Sequence, residues 1–394
     1  MKKELVILLT LALLSTGFVG CSTADVYAVT TITLGDKIKV EGGGATINGN
    51  SVTITDAGTY TITGTLTDGL VTVDSADQDV TLILDNASIT NSAGPALLIK
   101  DAGRAIVTLA DESNNYLKDG GASEYDAALY GCVSYMINGT GILDVYGTTK
   151  EGLVSEENLT IDGGIINITS VDDGINASSD DTSQIIINDG MVTITAGGDG
   201  IDSNGDLEIN GGTIISIASA EDGNGGLDAG GALTINGGTV FASGTMLPTP
   251  DSASAQKSLM AGFDTLQDAG TRLTIKQGDT ELLNTTPAQS YQAILFSSPD
   301  LIDAEEYEIY LGDTLSQTVT TDSVNSSMKS MGESQTGADG EILQGNPPAR
   351  PDGETPQGDK PPADGNTQRP ALPDGEMPQG GGQPPADGTT PSAI

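Results

Sequence analysis

The chain of 394 residues carries 55 acidic and 15 basic side chains, a formal charge of −40, and contains neither His nor Trp. Such acidity argues against a nucleic-acid partner, whose phosphates it would repel, and against unaided contact with an anionic membrane. With no His and only two Cys, zinc is a poor fit and no disulfide framework exists, so stability must come from a packed core.

Residues 1–20 read as a targeting segment. Lys2 and Lys3 precede an apolar run, Leu5 to Leu14, that is too short to span a bilayer comfortably. Phe18-Val19-Gly20-Cys21 resembles the bacterial lipobox, with Phe18 where Leu is usual. The resemblance implies cleavage before Cys21, a diacylglycerol on its sulfur, and anchoring at the bacterial cell surface on the outer face of the cytoplasmic membrane. The alternative is an ordinary secretory signal with an incidental cysteine. Cys132 is then left alone. Residues 21–30 read as a tether.

From Thr31 short β segments begin: Val52 to Thr55 and Tyr60 to Thr63, separated by turns at Asn48-Gly49 and Asp56-Ala57-Gly58. This opening is expected to cap the more regular strands beyond it. Val80 to Asn86 reads as the first full coil strand, and Ala96 to Ile99, Ala105 to Leu109 and Ile137 to Val145 continue the pattern. Tyr116, Tyr125, Tyr130, Tyr135 and Tyr146 cluster here, a group better suited to packing than to binding.

Residues 151–244 hold a repeat. Leu159/Ile161, Ile185/Ile187, Leu207/Ile209 and Leu233/Ile235 each alternate with polar positions and run into Gly164, Gly190, Gly212 and Gly238, which are 26, 22 and 26 residues apart by subtraction. Period two over three to five residues, with a glycine turn, is a strand and not a helix. A repeat of this length is one solenoid coil per unit. The fold class expected is all-β: a parallel β-helix over residues 31–244 with its N-terminal cap. A small closing β unit is expected over 245–322, with strands at Arg272 to Lys276, Gln292 to Phe296 and Glu306 to Leu311. Residues 323–394, rich in Pro, Gly, Asp and Gln, cannot bury a core and read as a disordered tail.

Aligning the coils places acids in register. Glu151, Asp173 and Asp199 each precede the same glycine, and Val154, Asn176, Asp202 and Asp228 share a later position. The fourth coil has Gly225 at the first acidic position and Asp222 displaced into an insertion. Coils in a parallel sheet stack about 4.8 Å apart, and calcium binds oxygens at about 2.3–2.6 Å, so one ion can touch carboxylates of two coils. Magnesium, which favours near-ideal octahedra with several waters, fits less well. The metal ligands expected are Glu151, Asp173, Asn176, Asp199, Asp202, Asp222 and Asp228. The same residues also suit Asx turns beside obligatory glycines. Residues 151–256 contain 17 Asp or Glu and no Lys or Arg, and bound calcium would locally invert that charge so that uronate carboxylates complete the coordination.

Val52-Thr53-Ile54-Thr55-Asp56-Ala57-Gly58-Thr59-Tyr60, Leu159 to Gly164, Val171-Asp172-Asp173-Gly174-Ile175, Gly198 to Ile201 and Ser297-Ser298-Pro299-Asp300-Leu301 together resemble a bacterial family of carbohydrate-binding domain-containing proteins over roughly residues 31–315. The resemblance implies a right-handed parallel β-helix with bound calcium, similar in fold to pectate lyases. It also implies surface binding of acidic sugars such as polygalacturonate, and of cellulose. The family often carries Lys two or three residues after Asp-Gly-Ile, and this chain does not. The function expected is a monomeric, lipid-anchored surface protein that binds extracellular polysaccharide, without a catalytic residue. Two alternatives stay open. A polysaccharide lyase would need a base, for which Lys150 is the candidate, beside calcium, and the many carboxylate pairs leave hydrolysis open. A structural adhesin or spacer would need neither. Replacing Cys21 by Ala should release the protein from membranes into the medium, and unchanged retention on fractionation would refute the anchor.

Overall fold

The computed structural model describes residues 29–179, 182–221 and 223–321. The targeting segment with Cys21, the residue Asp222 and the expected tail lie outside the described residues. Among the described residues there is no helix.

Each central coil contributes three short strands to three faces. In the third repeat these are Asp206–Ile209 on the first face, Thr213–Ile217 on the second and Ile201–Ser203 on the third. Every strand pairs in parallel with its copy in the next coil, and the pairings join the solenoid into one 23-stranded sheet. The expected parallel β-helix is therefore the fold.

Alternation dictates which side chains enter the core. On the first face Ile161 lies opposite Ile187, Ile187 opposite Ile209 and Ile209 opposite Ile235, all with no exposed surface. The column continues back through Ile137, Val107, Leu82 and Tyr60. Each such aliphatic side chain contributes about 1.5–3 kcal/mol by burial, and stacking like on like keeps the coils at one spacing.

The opening segment is more regular than a separate cap. Val29–Leu34 already pairs in parallel with Gly58–Leu66, and Ser51–Ile54 with residues 70–73. The antiparallel partners here are Lys39–Glu41 on the first strand and Ala45–Asn48 on the fourth. At the other end the three expected strands are present at Leu273–Gln277, Tyr291–Ser297 and Glu306–Leu311. Tyr291–Ser297 does not join the other two. It pairs antiparallel with both Thr239–Gly244 and Ser258–Gln267, so the second face ends in reversed strands. The others form a four-stranded antiparallel sheet with Thr280–Thr285 and Thr314–Thr320. Those two strands escape sequence reading because they are mostly exposed and carry little apolar alternation. A separate core, including Phe241, Phe263, Tyr291, Phe296 and Tyr307, joins this unit to the solenoid and covers Ile215.

Ile209→Asp places a charge with no partner in the middle of the inward column. It should cost about 3–5 kcal/mol, read as a large fall in melting temperature, and unchanged melting would refute the register.

Candidate functional site

The aligned acids sit at the corner where each coil passes from the second face to the third. Coils approach closely there. The Gly152 amide donates to the Asp173 carbonyl at 3.0 Å, and the Gly174 amide to the Asp199 carbonyl at 2.9 Å. A Cβ on Gly174 would run into the Ile194 side chain and the Gly200 carbonyl, so the corner admits only glycine. Asp173 and Asp199 are thereby fixed against the coil above. Asp173 Oδ1 accepts the Asp199 amide at 2.8 Å, and Asp199 Oδ1 accepts the Gly225 amide at 2.6 Å. Both residues thus serve as turn-locking acceptors as well as candidate ligands.

The second aligned position is also in register. Val154 lies opposite Asn176, Asn176 opposite Asp202 and Asp202 opposite Asp228, on the outward side of the third face. The column starts apolar, with Leu98, Tyr130 and Val154 in a small cluster that includes Tyr125, and turns polar from Asn176 onward. Asn176 Nδ2 donates to Asp173 Oδ2 at 3.1 Å and to Asp202 Oδ2 at 3.0 Å. Asp228 Oδ1 accepts the following backbone amide, that of Ala229, at 2.8 Å. The structure therefore brings Asp173, Asn176, Asp199, Asp202 and Asp228 to one corner of three coils, with Glu151 one coil earlier.

Two carboxyls are held well above the usual range. Burial pushes Asp199 up to about 7, opposed by the Gly225 amide and reinforced by the charges of Asp173, Asp228 and Asp172. Burial likewise pushes Glu151 up to about 7; Asp126 adds to it, while the residue's own backbone amide and Lys150 oppose it. Glu151 Oε2 is buried with no hydrogen-bond partner among the described residues. Lys150 is committed elsewhere: its Nζ lies 2.7 Å from Asp126 Oδ2, which raises its pKa further.

Among the described residues, no group of three or more His, Cys, Asp or Glu is gathered tightly enough to enclose a metal as it stands. The donors present nonetheless fit a hard divalent cation. They are all oxygens, and Asp173 Oδ2 and Asp202 Oδ2, from adjacent coils, converge on the single Asn176 nitrogen. Half a turn of that amide would exchange its nitrogen for oxygen. A depression of about 160 Å³ lined by Asp199, Asp228 and residues 246–248 opens beside them. Sequence reading missed Asp126 and Asp172, which bear on Glu151, and Asp119, which does the corner's work one coil earlier by accepting the Thr148 and Thr149 amides at 2.5 and 3.1 Å. The coil register carried a signal for the first, since Glu151 lies opposite Ala127, the residue after Asp126.

A carboxyl whose folded pKa is raised binds its proton more tightly folded than unfolded. Its contribution is most favourable below about 4 and is lost as pH rises to about 7. In chelator, the melting temperature of Asp199→Asn should therefore gain on that of the unaltered protein as pH rises through this window. A difference that stays constant or shrinks would show that Asp199 is not a strained buried carboxyl.

A model of the carbohydrate-binding domain-containing protein family matches residues 48–330. A carbohydrate-binding domain-containing protein of Acetivibrio thermocellus is 31% identical over 159 residues, covering 38% of this chain and 55% of the relative, so the chain spans about half of that relative's length. The solved structure of a polysaccharide lyase-like protein from C. thermocellum, a gadolinium derivative, aligns at a TM-score of 0.46 with 26% identity over 58% of this chain and 98% of that one. With the family model spanning most of its length, this chain belongs to the carbohydrate-binding domain-containing protein family.

Proposed function

We propose that this protein holds acidic, uronate-containing polysaccharide at the outer surface of a bacterial cell through calcium bound at the inter-coil corner. The observation that carries this reading is the convergence of Asp173 Oδ2 and Asp202 Oδ2 on Asn176 beside a carboxyl, Asp199, that is half-buried among other acids. Unscreened carboxylates this close repel, and a cation between coils relieves that repulsion.

Asp173, Asn176, Asp199, Asp202 and Asp228 would hold the ion, with Glu151 one coil earlier. Calcium would supply positive charge on a face that otherwise repels polyanions, leaving positions that a sugar carboxylate can fill. The chain's own residues set the site: the Gly174 and Gly200 column lets the coils approach, and the Asp173 and Asp199 backbone contacts aim the remaining carboxylate oxygens. Lys150, held charged by Asp126, is poorly placed to take a proton, which favours binding over lyase chemistry. Lipidation at Cys21 would keep this face outside the membrane.

Calcium should raise the melting temperature progressively, by linkage to the folded state. Titration calorimetry with polygalacturonate should give heat in calcium and none in excess chelator, and Asp199→Asn should weaken metal and polymer together by about tenfold or more, on the order of 1.4 kcal/mol. Calcium-independent melting, or full polyuronate binding in chelator, would leave these acids as turn residues.

A further inference from the structure

The second face carries a different surface. Its outward side bears Tyr116 and Tyr146, on adjacent coils, with ring centroids 5.1 Å apart and planes tilted by 35°. The tyrosines that looked alike in sequence are separated by the fold: Tyr130 and Tyr135 are buried, whereas Tyr146 is 39% exposed. Beside the pair runs an apolar stripe along the solenoid axis. Ile142 lies opposite Ile165, and Ile165 opposite Met191, which is 47% exposed. Ile142 and Ile165 line a depression of about 520 Å³ rimmed by Asp111, Glu112, Asn114 and Thr140.

The row next to the stripe starts at Tyr116 and is polar from Asp144 onward, with Tyr146 in the row beyond it. Asn167 Nδ2 donates to Asp144 Oδ1 at 2.8 Å across neighbouring coils, leaving amide and carboxylate lone pairs facing out. Thr169 and Thr195 extend the row that holds Tyr146. The strip is bounded at its far end, where the C-terminal unit packs over Ile215 and Gln289 donates to the Ala196 carbonyl. Its charges are those of Asp111, Glu112 and Asp144, with Lys118 opposite Tyr146.

Apolar surface with aromatic rings and a few fixed polar groups is the chemistry that recognises a sugar ring, with its apolar C–H faces and equatorial hydroxyls. Parallel coils repeat that chemistry every ~4.8 Å, a step comparable to one pyranose ring. Three carboxylates against one lysine would repel a polyanion but impose nothing on an uncharged chain. We propose that the Tyr116–Tyr146 strip is a second glycan site that takes an extended, uncharged polysaccharide along the solenoid axis without a metal ion. The proposal rests on the carbohydrate-binding reading, but it uses different residues and a different face from the acidic corner.

Affinity electrophoresis of the full chain through gels containing hydroxyethyl cellulose or dextran, in chelator, tests it. The unaltered protein should be retarded by at least one of them. Tyr116→Ala/Tyr146→Ala should weaken retardation by about tenfold or more, the loss of roughly one aromatic contact's worth of affinity. Met191→Glu, a change at an exposed position, should do the same and serves as the readout if the double variant does not fold. Asp199→Asn should leave retardation unchanged. No retardation of the unaltered protein by either polymer, or equal retardation of folded Met191→Glu, would overturn the site. Absence of polygalacturonate binding in calcium, with this retardation intact, would count against the calcium reading alone.

Discussion

Everything in this molecule depends on one constraint: each coil must hydrogen-bond to its neighbour along all three faces while presenting the same inward side chains. A parallel ladder tolerates no slip of one residue, since every core side chain would then turn outward. Ile161, Ile187, Ile209 and Ile235 hold the register from inside. The corner glycines hold it from outside, because any side chain there would push the coils apart.

Polar ladders finish what the core begins. After the first face, Asn188 donates to Asp162 at 2.7 Å, Asn210 to Asn188 at 2.9 Å and Asn236 to Asn210 at 2.8 Å. Asn188 and Asn210 each give and receive one bond, so beyond Asp162 this stack is carried by neutral amides. At the acidic corner the stacked groups are instead carboxylates, and Asn176 bridges two of them. A solenoid able to build neutral ladders at one turn keeps charged ones at another, and the cost appears in the raised carboxyls of Glu151 and Asp199.

The ends of a parallel stack are its exposed edges, open to pairing with another chain. Here they are turned back on themselves. Tyr291–Ser297 and Ser258–Gln267 run antiparallel onto the last strand of the second face. The Asp251 and Gln256 amides donate to the Leu233 and Ile235 carbonyls, closing the last strand of the first face at 2.7 and 3.1 Å. Closure also divides the second face, since the C-terminal core covers Ile215 and leaves the Tyr146 coil open.

The repeat was legible in the sequence because its period and its chemistry coincide: aliphatic alternation sets the strands and glycine sets the turns, both local properties. So was the alignment of Asn176, Asp202 and Asp228, since a constant coil offset turns sequence distance into register. Local patterning did not reach the exposed strands Thr280–Thr285 and Thr314–Thr320, whose pairing comes from their neighbours and not from their own alternation. Nor could it show that Tyr130 would be covered while Tyr146 stayed open, or that Asp126 and Asp172 would bear on Glu151. Burial and electrostatic environment depend on which segments cross in space. The sequence alone therefore determined the coil and its column of acids, and the tertiary structure decided which tyrosines face solvent and which carboxylates feel one another.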